Sequence, residues 1–324
     1  MKKLSHLNLD APFFQAPLSG YTDQPMRILA RQFGAPLTFS GLMLDKSVLA
    51  PGVLEKPHYA VIDQEHPVGA QLLGNDPDIM AQAARRLCDY GYDLVDLNFA
   101  CPAPKVTQKQ RGGFLLTQPD TALKITQQVR QAISCPLLLK LRIGYDRSSQ
   151  SQENFWYICE QALAVGIDGL VIHGRTVQGR YRDRADWNII AQVKKRFPHA
   201  FITGSGDIFT AEDVADKLAH YDIDAVLIAR GAIGNPWIFP EARALTSHLP
   251  KPPPPSLTEQ GQTMLHHLDM VLRLYPTRKA VPLFRKFCVH YCKRHPRRKK
   301  TQSALISAPD PDALRLTIRN CYGL

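Results

Sequence analysis

The stretch LNFACPAPKV, residues 97–106, sets a cysteine between a short apolar run and two prolines, where a buried strand should give way to loop. A thiol of ordinary acidity, pKa about 8.5, stays mostly protonated at pH 7 and can act as a general acid unless cations depress it. Other residues with chemistry to offer recur just behind apolar runs: Pro17, Gln71, Asn98, Lys140, Arg142, His173, Arg175, Gly206, Asp207 and Arg230. The small residues of TGSGDIF (203–209) and ARGAIGNPW (229–237) allow backbone N–H groups close to a ligand, and Arg230 adds a cation. Together they suit an anion such as phosphate. A lone Gln or His in such a place is more often a satisfied core group. Its recurrence behind at least six runs points to one shared site.

The runs themselves are rich in β-branched residues and read as strands at 13–18, 37–40, 68–73, 94–98, 137–143, 169–174, 201–206 and 225–229. Amphipathic segments lie between them. In one, 77–91, Asp76 can cap and Pro77 occupies the first turn; in another, 210–221, Thr210 and Asp213 resemble a capping box. This alternation of strand and helix predicts an α/β (β/α)8 TIM barrel, with an open doubly wound sheet as the competing arrangement. In a barrel the C-terminal ends of the strands converge. All these chemistry-bearing residues would then share one bowl, with the two small-residue turns in the loops that commonly hold phosphate.

The 324 residues, 44% hydrophobic and 21% charged, have the composition of an ordinary globular protein. No run approaches the roughly 18 apolar residues a spanning helix needs, and after Met1-Lys2-Lys3 the residues Asp10 and Pro12 interrupt the chain before an apolar stretch reaches signal-peptide length. Seven cysteines without an even framework or a C-x-x-C pair fit a reducing cytosol better than a disulfide scaffold, with most of them inert packing thiols. A cytoplasmic protein without membrane association or an obligate protein partner is expected. Of the net charge of +11, residues 251–324 carry nearly all, with 14 of the 40 Lys+Arg and only 4 of the 29 Asp+Glu. KPPPPS (251–256) precedes that segment and cannot continue a helix or sheet. The chain therefore divides into a barrel over 1–250 and a small, basic, all-α domain over 251–324. Helices are expected at 257–275, 278–295 and near 312–320, with the basic run RRKK (297–300) between the last two. Cys288, Cys292 and His295, with His290 nearby, have helical spacing that invites a metal, but ordinary packing is the preferred reading and no metal is expected.

In order along the barrel, APLSGYTDQPMR (16–27), QLLG (71–74), DLNFACPAPKV (96–106), GGFLL (112–116), LKLRIG (139–144), IHGRT (172–176), ADW (185–187), SGDI (205–208) and ARGAIGNPWIF (229–239) resemble the tRNA-dihydrouridine synthases. These are flavin-dependent barrels with a helical tRNA-binding domain. The resemblance implies FMN as cofactor and NADPH (or NADH) as reductant. It implies that Pro17, Leu18 and Ser19 line the flavin, that Gln71 and Lys140 address its ring beside His173, and that Ser205, Gly206, Asp207, Ala229 and Arg230 hold its phosphate. Cys101 takes the role of proton donor, with Asn98, Lys105, Arg142 and Arg175 toward the substrate. Lys140 and Arg142 are expected to face opposite sides of their strand, with Lys140 in the bowl. Ala100 stands where the family usually has Gly, Ser205 where Asn is usual and Leu18 where Met is usual; Ala100 matters if φ there must be positive.

The chemistry agrees with these residue types. Reducing the C5=C6 bond of a D-loop uridine needs a hydride at C6, which no side chain supplies, and a proton at C5. Cys101 on a mobile loop would close over the base and give that proton. The rival enzyme is a flavin barrel of the dihydroorotate or dihydropyrimidine dehydrogenase type acting on a free pyrimidine, which would not need the basic domain; a non-catalytic RNA-binding barrel is the other reading. Arg180, Arg182 and Arg184, with Lys105, Lys109 and Arg111, would extend the positive surface to the bowl. RNA held this way releases counterions. Affinity for tRNA is expected to fall at least about tenfold between 50 and 200 mM salt, measured by filter binding, and a flat response would contradict the electrostatic reading.

Overall fold

The computed structural model describes residues 4–324, so Met1-Lys2-Lys3 lies outside the described residues. Nine parallel strands are found among them: β1 (Phe13–Gln15), β2 (Thr38–Phe39), β3 (Met43–Leu44), β4 (Val68–Leu73), β5 (Leu94–Phe99), β6 (Leu137–Arg142), β7 (Gly169–His173), β8 (Phe201–Ser205) and β9 (Ala225–Ile228). Their order is β1-β9-β8-β7-β6-β5-β4-β2, with β3 paired to β4 off that path. The Gln15 N–H donates to the Leu37 carbonyl at 3.0 Å, joining the two ends of the path. The result is the expected eight-stranded barrel, and β3 is an addition that the sequence pattern did not signal.

The interior is layered by the two-residue period of the strands. Phe14, Leu37, Phe39, Leu94, Leu138, Val171, Phe201, Ala225 and Leu227 form a buried apolar cluster, closed from below by Leu4, Leu7 and Leu9. Two residues farther along, the same face turns polar, from Leu94 to Asp96 and Asn98, and from Leu138 to Lys140 and Arg142. Register aligns these positions across strands: Gln71 with Asp96, Asn98 with Lys140, and Arg142 with His173, which in turn aligns with Ser205. Residues two apart share a face, so Lys140 and Arg142 both belong to the interior. The expectation that they point opposite ways is corrected.

Helices α1 (Gln24–Gln32), α2 (Asp45–Val48), α3 (Pro77–Asp89), α4 (Pro104–Thr107), α5 (Pro119–Ala132), α6 (Ser149–Ala164), α7 (Trp187–Arg196), α8 (Ala211–Tyr221) and α9 (Ile238–Thr246) connect or surround the strands. Local signals account for their starts. Asp76 accepts from the N–H groups of Asp78 and Ile79 with Pro77 in the first turn, and Thr210 with Asp213 forms a complete capping box on α8. One buried cation organises the entrance to α1: Arg27, fully buried, pairs with Glu65 at 2.5 Å and donates to the carbonyls of Thr22, His58 and Ala60. That pair fastens the segment around residues 58–65 to the turn after β1.

Beyond the proline run come α10 (Leu257–Leu274), α11 (Thr277–Tyr291), α12 (Arg298–Ser307) and α13 (Pro311–Tyr322). The RRKK run opens α12, a helix the sequence did not announce. No side chain caps it, and Arg298, Lys299 and Lys300 place positive charge at the unfavourable end of the helix dipole. These helices share one buried apolar cluster with the barrel's outer face. Polar ties add to it: Arg294 donates to Asn235 at 3.0 Å and to the buried Glu241 at 2.9 Å, and Tyr275 donates to Asp23 at 3.2 Å.

One cysteine expectation is revised. Cys88 and Cys135, 47 residues apart, are joined by a disulfide because α3 and α5 pack side by side. Cys101, Cys159, Cys288, Cys292 and Cys321 are free. His295 makes protein hydrogen bonds at both ring nitrogens, to the Cys321 carbonyl and to the Arg297 N–H, so its spacing from Cys288 and Cys292 is explained by packing.

His267 of α10 is buried between Phe284, Phe287 and Tyr291, and burial pushes its imidazole down to about 3. Its folded pKa thus lies below the ordinary value of about 6.5. On acidification the unfolded chain takes up a proton that the folded chain refuses, so this contribution is intact above pH 6.5 and is lost as pH falls toward 3. Urea unfolding of wild type and His267→Phe between these limits should differ in slope by about 1.4 kcal/mol per pH unit, the wild type falling faster on acidification; parallel slopes would contradict this.

Candidate active site

The strand ends open into a bowl lined by Pro17, Leu18, Ser19, Gln71, Asn98, Cys101, Lys140, Arg142, His173, Ser205, Gly206, Asp207, Ala229 and Arg230, all of them singled out from sequence. Two expected residues are not brought there. Lys105 lies exposed on α4, outside the lining, and Arg175 is turned away into the wall. The Arg175 guanidinium contacts both oxygens of Asp207 at 2.6 Å and donates to the Asp183 carbonyl, so it orders the loop after β8 instead of facing the bowl. A residue at a strand end points into the bowl only if its parity matches the inward face, and Arg175 follows His173 through a turn of its own.

Cys101 sits half-buried on a loop that is fastened on several sides. The Asn98 Oδ1 accepts from the Ala100 and Cys101 N–H groups at 3.0 and 2.9 Å, an Asx turn that carries the chain off β5. Arg142 donates to the Ala100 carbonyl at 2.9 Å, and the Gly113 N–H donates to the Cys101 carbonyl at 3.0 Å. Gly112 is required at this approach: its φ is +60°, and a Cβ there would lie 3.0 Å from the Cys101 Cβ. These contacts fasten the loop backbone at Ala100 and Cys101. Ala100 is not among the positive-φ residues, so its Cβ brings no backbone strain.

The floor of the bowl is a polar layer with unmet valences. Gln71 donates to Asp96 at 2.7 Å and accepts from Asn98 at 2.7 Å. The Lys140 Nζ, the His173 Nδ1 and the Asp96 Oδ1 are buried without hydrogen-bond partners. Burial pushes the Asp96 carboxyl up and the Lys140 ammonium down, while their mutual attraction opposes both shifts. Burial, reinforced by Arg142, Lys140, Arg175 and Arg230, holds the His173 imidazole far below its usual range, so it is neutral at physiological pH. Arg142 is lowered by burial to about 10 and stays charged; its other donors reach the carbonyls of Thr176 and Arg180 at 2.9 and 2.8 Å.

On the far side, Gly206 at φ +126° and Asp207 at φ +53° turn the chain sharply, and a Cβ on Gly206 would lie 2.5 Å from that of Ala185. Burial raises the Asp207 carboxyl, but hydrogen bonds from Arg175 and the Ala185 N–H outweigh it and hold it below its usual range. Arg230 stands 3.7 Å from Asp207. Its guanidinium lies over the rings of Tyr181 and Phe209, at 5.0 and 4.9 Å, while Arg142 covers Tyr181 at 5.5 Å. Tyr181 and Phe209 escaped sequence reasoning. Tyr181 stands among the arginines of RYRDR, and only the charges of that run carry a signal in the sequence.

The loop after β1 is braced from outside the barrel. Lys286 of α11 donates to the Gly20 carbonyl and lies 4.9 Å from the centre of the Tyr21 ring, which meets Phe287 edge-on at 5.5 Å. The helical segment thus supports the turn that carries Pro17, Leu18 and Ser19.

Barrel and bowl define an enzyme-like site at the C-terminal ends of the strands, with a floor of unpaired polar groups and Arg230 and Asp207 in its lining. The dihydrouridine synthase (Dus) family model matches residues 14–317, and the chain belongs to that family. It is accordingly a flavin-dependent oxidoreductase. It is 31% identical over 322 residues to the tRNA-dihydrouridine synthase B of Pasteurella multocida (strain Pm70), covering 99% of this chain and 96% of that protein. The tRNA-dihydrouridine synthase B of Xanthomonas axonopodis pv. citri (strain 306) is 32% identical over 309 residues, 95% of this chain and 91% of that one. Among solved structures, histamine dehydrogenase from Rhizobium sp. 4-9 shares the fold, with a TM-score of 0.55 at 14% identity over 81% of this chain and 49% of that one.

Because Ala100 carries no strain, restoring the glycine usual in this family should bring no benefit. Ala100→Gly is expected to lower stability by about 0.4–1 kcal/mol through the freer unfolded chain, with turnover unchanged. A marked gain in turnover would show that the Cβ does hinder the loop.

Proposed function

We propose that this protein reduces the C5=C6 bond of a D-loop uridine in tRNA, with Cys101 as the proton donor to C5. The observation that carries the reading is the opposition, in a chain of this family, of a fastened thiol loop and a floor of unpaired polar groups in one bowl. The residues fit FMN. Lys140, Gln71 and His173 would address its ring, Pro17, Leu18 and Ser19 would line it, and Ser205, Gly206, Asp207, Ala229 and Arg230 would hold its phosphate. When bound, FMN supplies the hydride required at C6, and NADPH (or NADH) is the reductant that renews it.

The chain's own groups do the rest. Asn98, Arg142 and Gly113 hold the backbone of the Cys101 loop at the bowl. Cys101 gives its proton to C5 and regains one from solvent, to which the half-buried thiol has access. Lys140 places positive charge at the floor, where it favours negative charge on a bound electron-rich ring. Asn98 flanks the base and Arg142 acts through the loop it fastens, while Lys105, exposed on α4 outside the lining, would meet the tRNA beyond the bowl.

Residues 251–324 serve as a tRNA-binding domain. Supporting this are the exposed cations of α12, Arg298, Lys299 and Lys300, with Arg278 and Lys279 at the start of α11. Charge placed against the helix dipole lowers helix stability, so it needs another use; phosphate contact is such a use. The same charge favours tRNA over a free pyrimidine. The target base would be unstacked to reach the bowl. No described helix is long and apolar enough to cross a membrane.

Cys101→Ala is expected to bind flavin as wild type does and to be reduced by NADPH normally, while losing at least about 100-fold in tRNA uridine reduction, the usual weight of general acid catalysis. Near-native turnover, read as dihydrouridine formed in unmodified tRNA, would remove Cys101 from the mechanism.

A further inference from the structure

We infer that Asp96, which has no part in the proposed chemistry, is a positioning residue that sets the polarity of a hydrogen-bond relay ending on the Cys101 loop. Asp96 is fully buried inside the barrel. An ionised carboxylate only accepts hydrogen bonds, whereas an amide has one donating and one accepting end. The Asp96 Oδ2 accepts from the Gln71 Nε2 at 2.7 Å, which fixes the direction of the Gln71 amide. The Gln71 Oε1 then faces Asn98 and accepts from its Nδ2 at 2.7 Å. That in turn leaves the Asn98 Oδ1 for the N–H groups of Ala100 and Cys101.

Each link forces the next. With a group at 96 that can also donate, the Gln71 amide can reverse; Asn98 would then turn its NH2 toward two backbone donors, and the loop would lose its anchor. Strand register puts the links in reach, since Gln71 aligns with Asp96 and Asn98 lies two residues along β5 on the same face. Lys140, aligned with Asn98 on the next strand, supplies positive charge that favours the carboxylate, the accepting form, against the burial that raises its pKa. The consequence for turnover rests on the proposed role of Cys101, but the relay itself is read from the thiol's surroundings.

The test is alkylation of the full-length protein by iodoacetamide, with and without FMN, followed peptide by peptide by mass spectrometry. Cys321, free and half-buried on α13, is the internal reference. Asp96→Asn is expected to change the Cys101-to-Cys321 rate ratio about fivefold, as for loosening one ordinary hydrogen bond. In an Asn98→Ala background the same substitution should change nothing further, because the relay is already cut. An unmoved ratio, or equal effects in both backgrounds, would overturn the inference. If Asp96→Asn does not fold, Gln71→Met interrupts the relay with Asp96 in place and should move the ratio by a similar factor; no movement overturns it. Turnover separates the two readings. A wild type that forms no dihydrouridine while the ratio still responds to Asp96→Asn refutes the proposed function and upholds the relay; an active wild type with an unmoved ratio does the reverse.

Discussion

The structure depends on one constraint, the parallel register of β4 to β8, whose inward faces turn from apolar to polar at a height near their C-terminal ends and so bring polar groups beside one another. Below that height, Phe14, Leu94, Leu138, Val171 and Phe201 seal the interior. Above it, Gln71, Asp96, Asn98, Lys140, Arg142 and His173 stand side by side because their strands are aligned residue against residue. A slip of one position would turn these groups outward and bury apolar side chains in their place. The same alternation that closes the barrel therefore builds its site, and stability and chemistry cannot be varied independently along these strands.

The unpaired groups on the floor carry a stability cost, since a buried polar atom without a partner is worth about 1–3 kcal/mol. The surrounding structure absorbs it. Arg27 and Glu65 fix the segments that lie beyond β1 and β3, Arg175 fixes Asp207, and the helical segment extends the apolar core across the barrel's outer face. Lys286 shows how the two regions meet at the site: a residue of the helical segment holds the turn that carries Pro17, Leu18 and Ser19. Whatever binds the outer helices is thus mechanically close to the bowl.

Much of this is legible in the chain. The β-branched runs locate seven of the eight barrel strands to within a residue, while the first ends three residues before its expected end, and Asp76-Pro77 and Thr210 with Asp213 mark helix starts through local hydrogen bonds that need no tertiary knowledge. Ten lining residues are found because barrel chemistry gathers behind strands, and Leu18, Ser19, Ser205 and Ala229 come only from the family resemblance. Orientation and long-range contact are not legible in the same way. Arg142 lies on the inward face that the two-residue period requires, contrary to the expectation for it, and Arg175 reaches Asp207 instead of the bowl. Asp96 resembles an ordinary mid-strand residue until Gln71, 25 positions away, is seen beside it. The Cys88–Cys135 bond likewise comes from α3 packing on α5, which spacing alone does not reveal. The start of α12 carries no capping signal, only charge.

Whether the bowl unites a flavin with a tRNA uridine decides the function. The direct measurement is to load the protein with FMN, reduce it with NADPH in the absence of oxygen, and add purified tRNA while following the flavin spectrum. Reoxidation by tRNA lacking dihydrouridine, but not by fully modified tRNA or free uridine, is the predicted result. A flavin that stays reduced in the presence of unmodified tRNA, or that is reoxidised equally by free uridine, would contradict it.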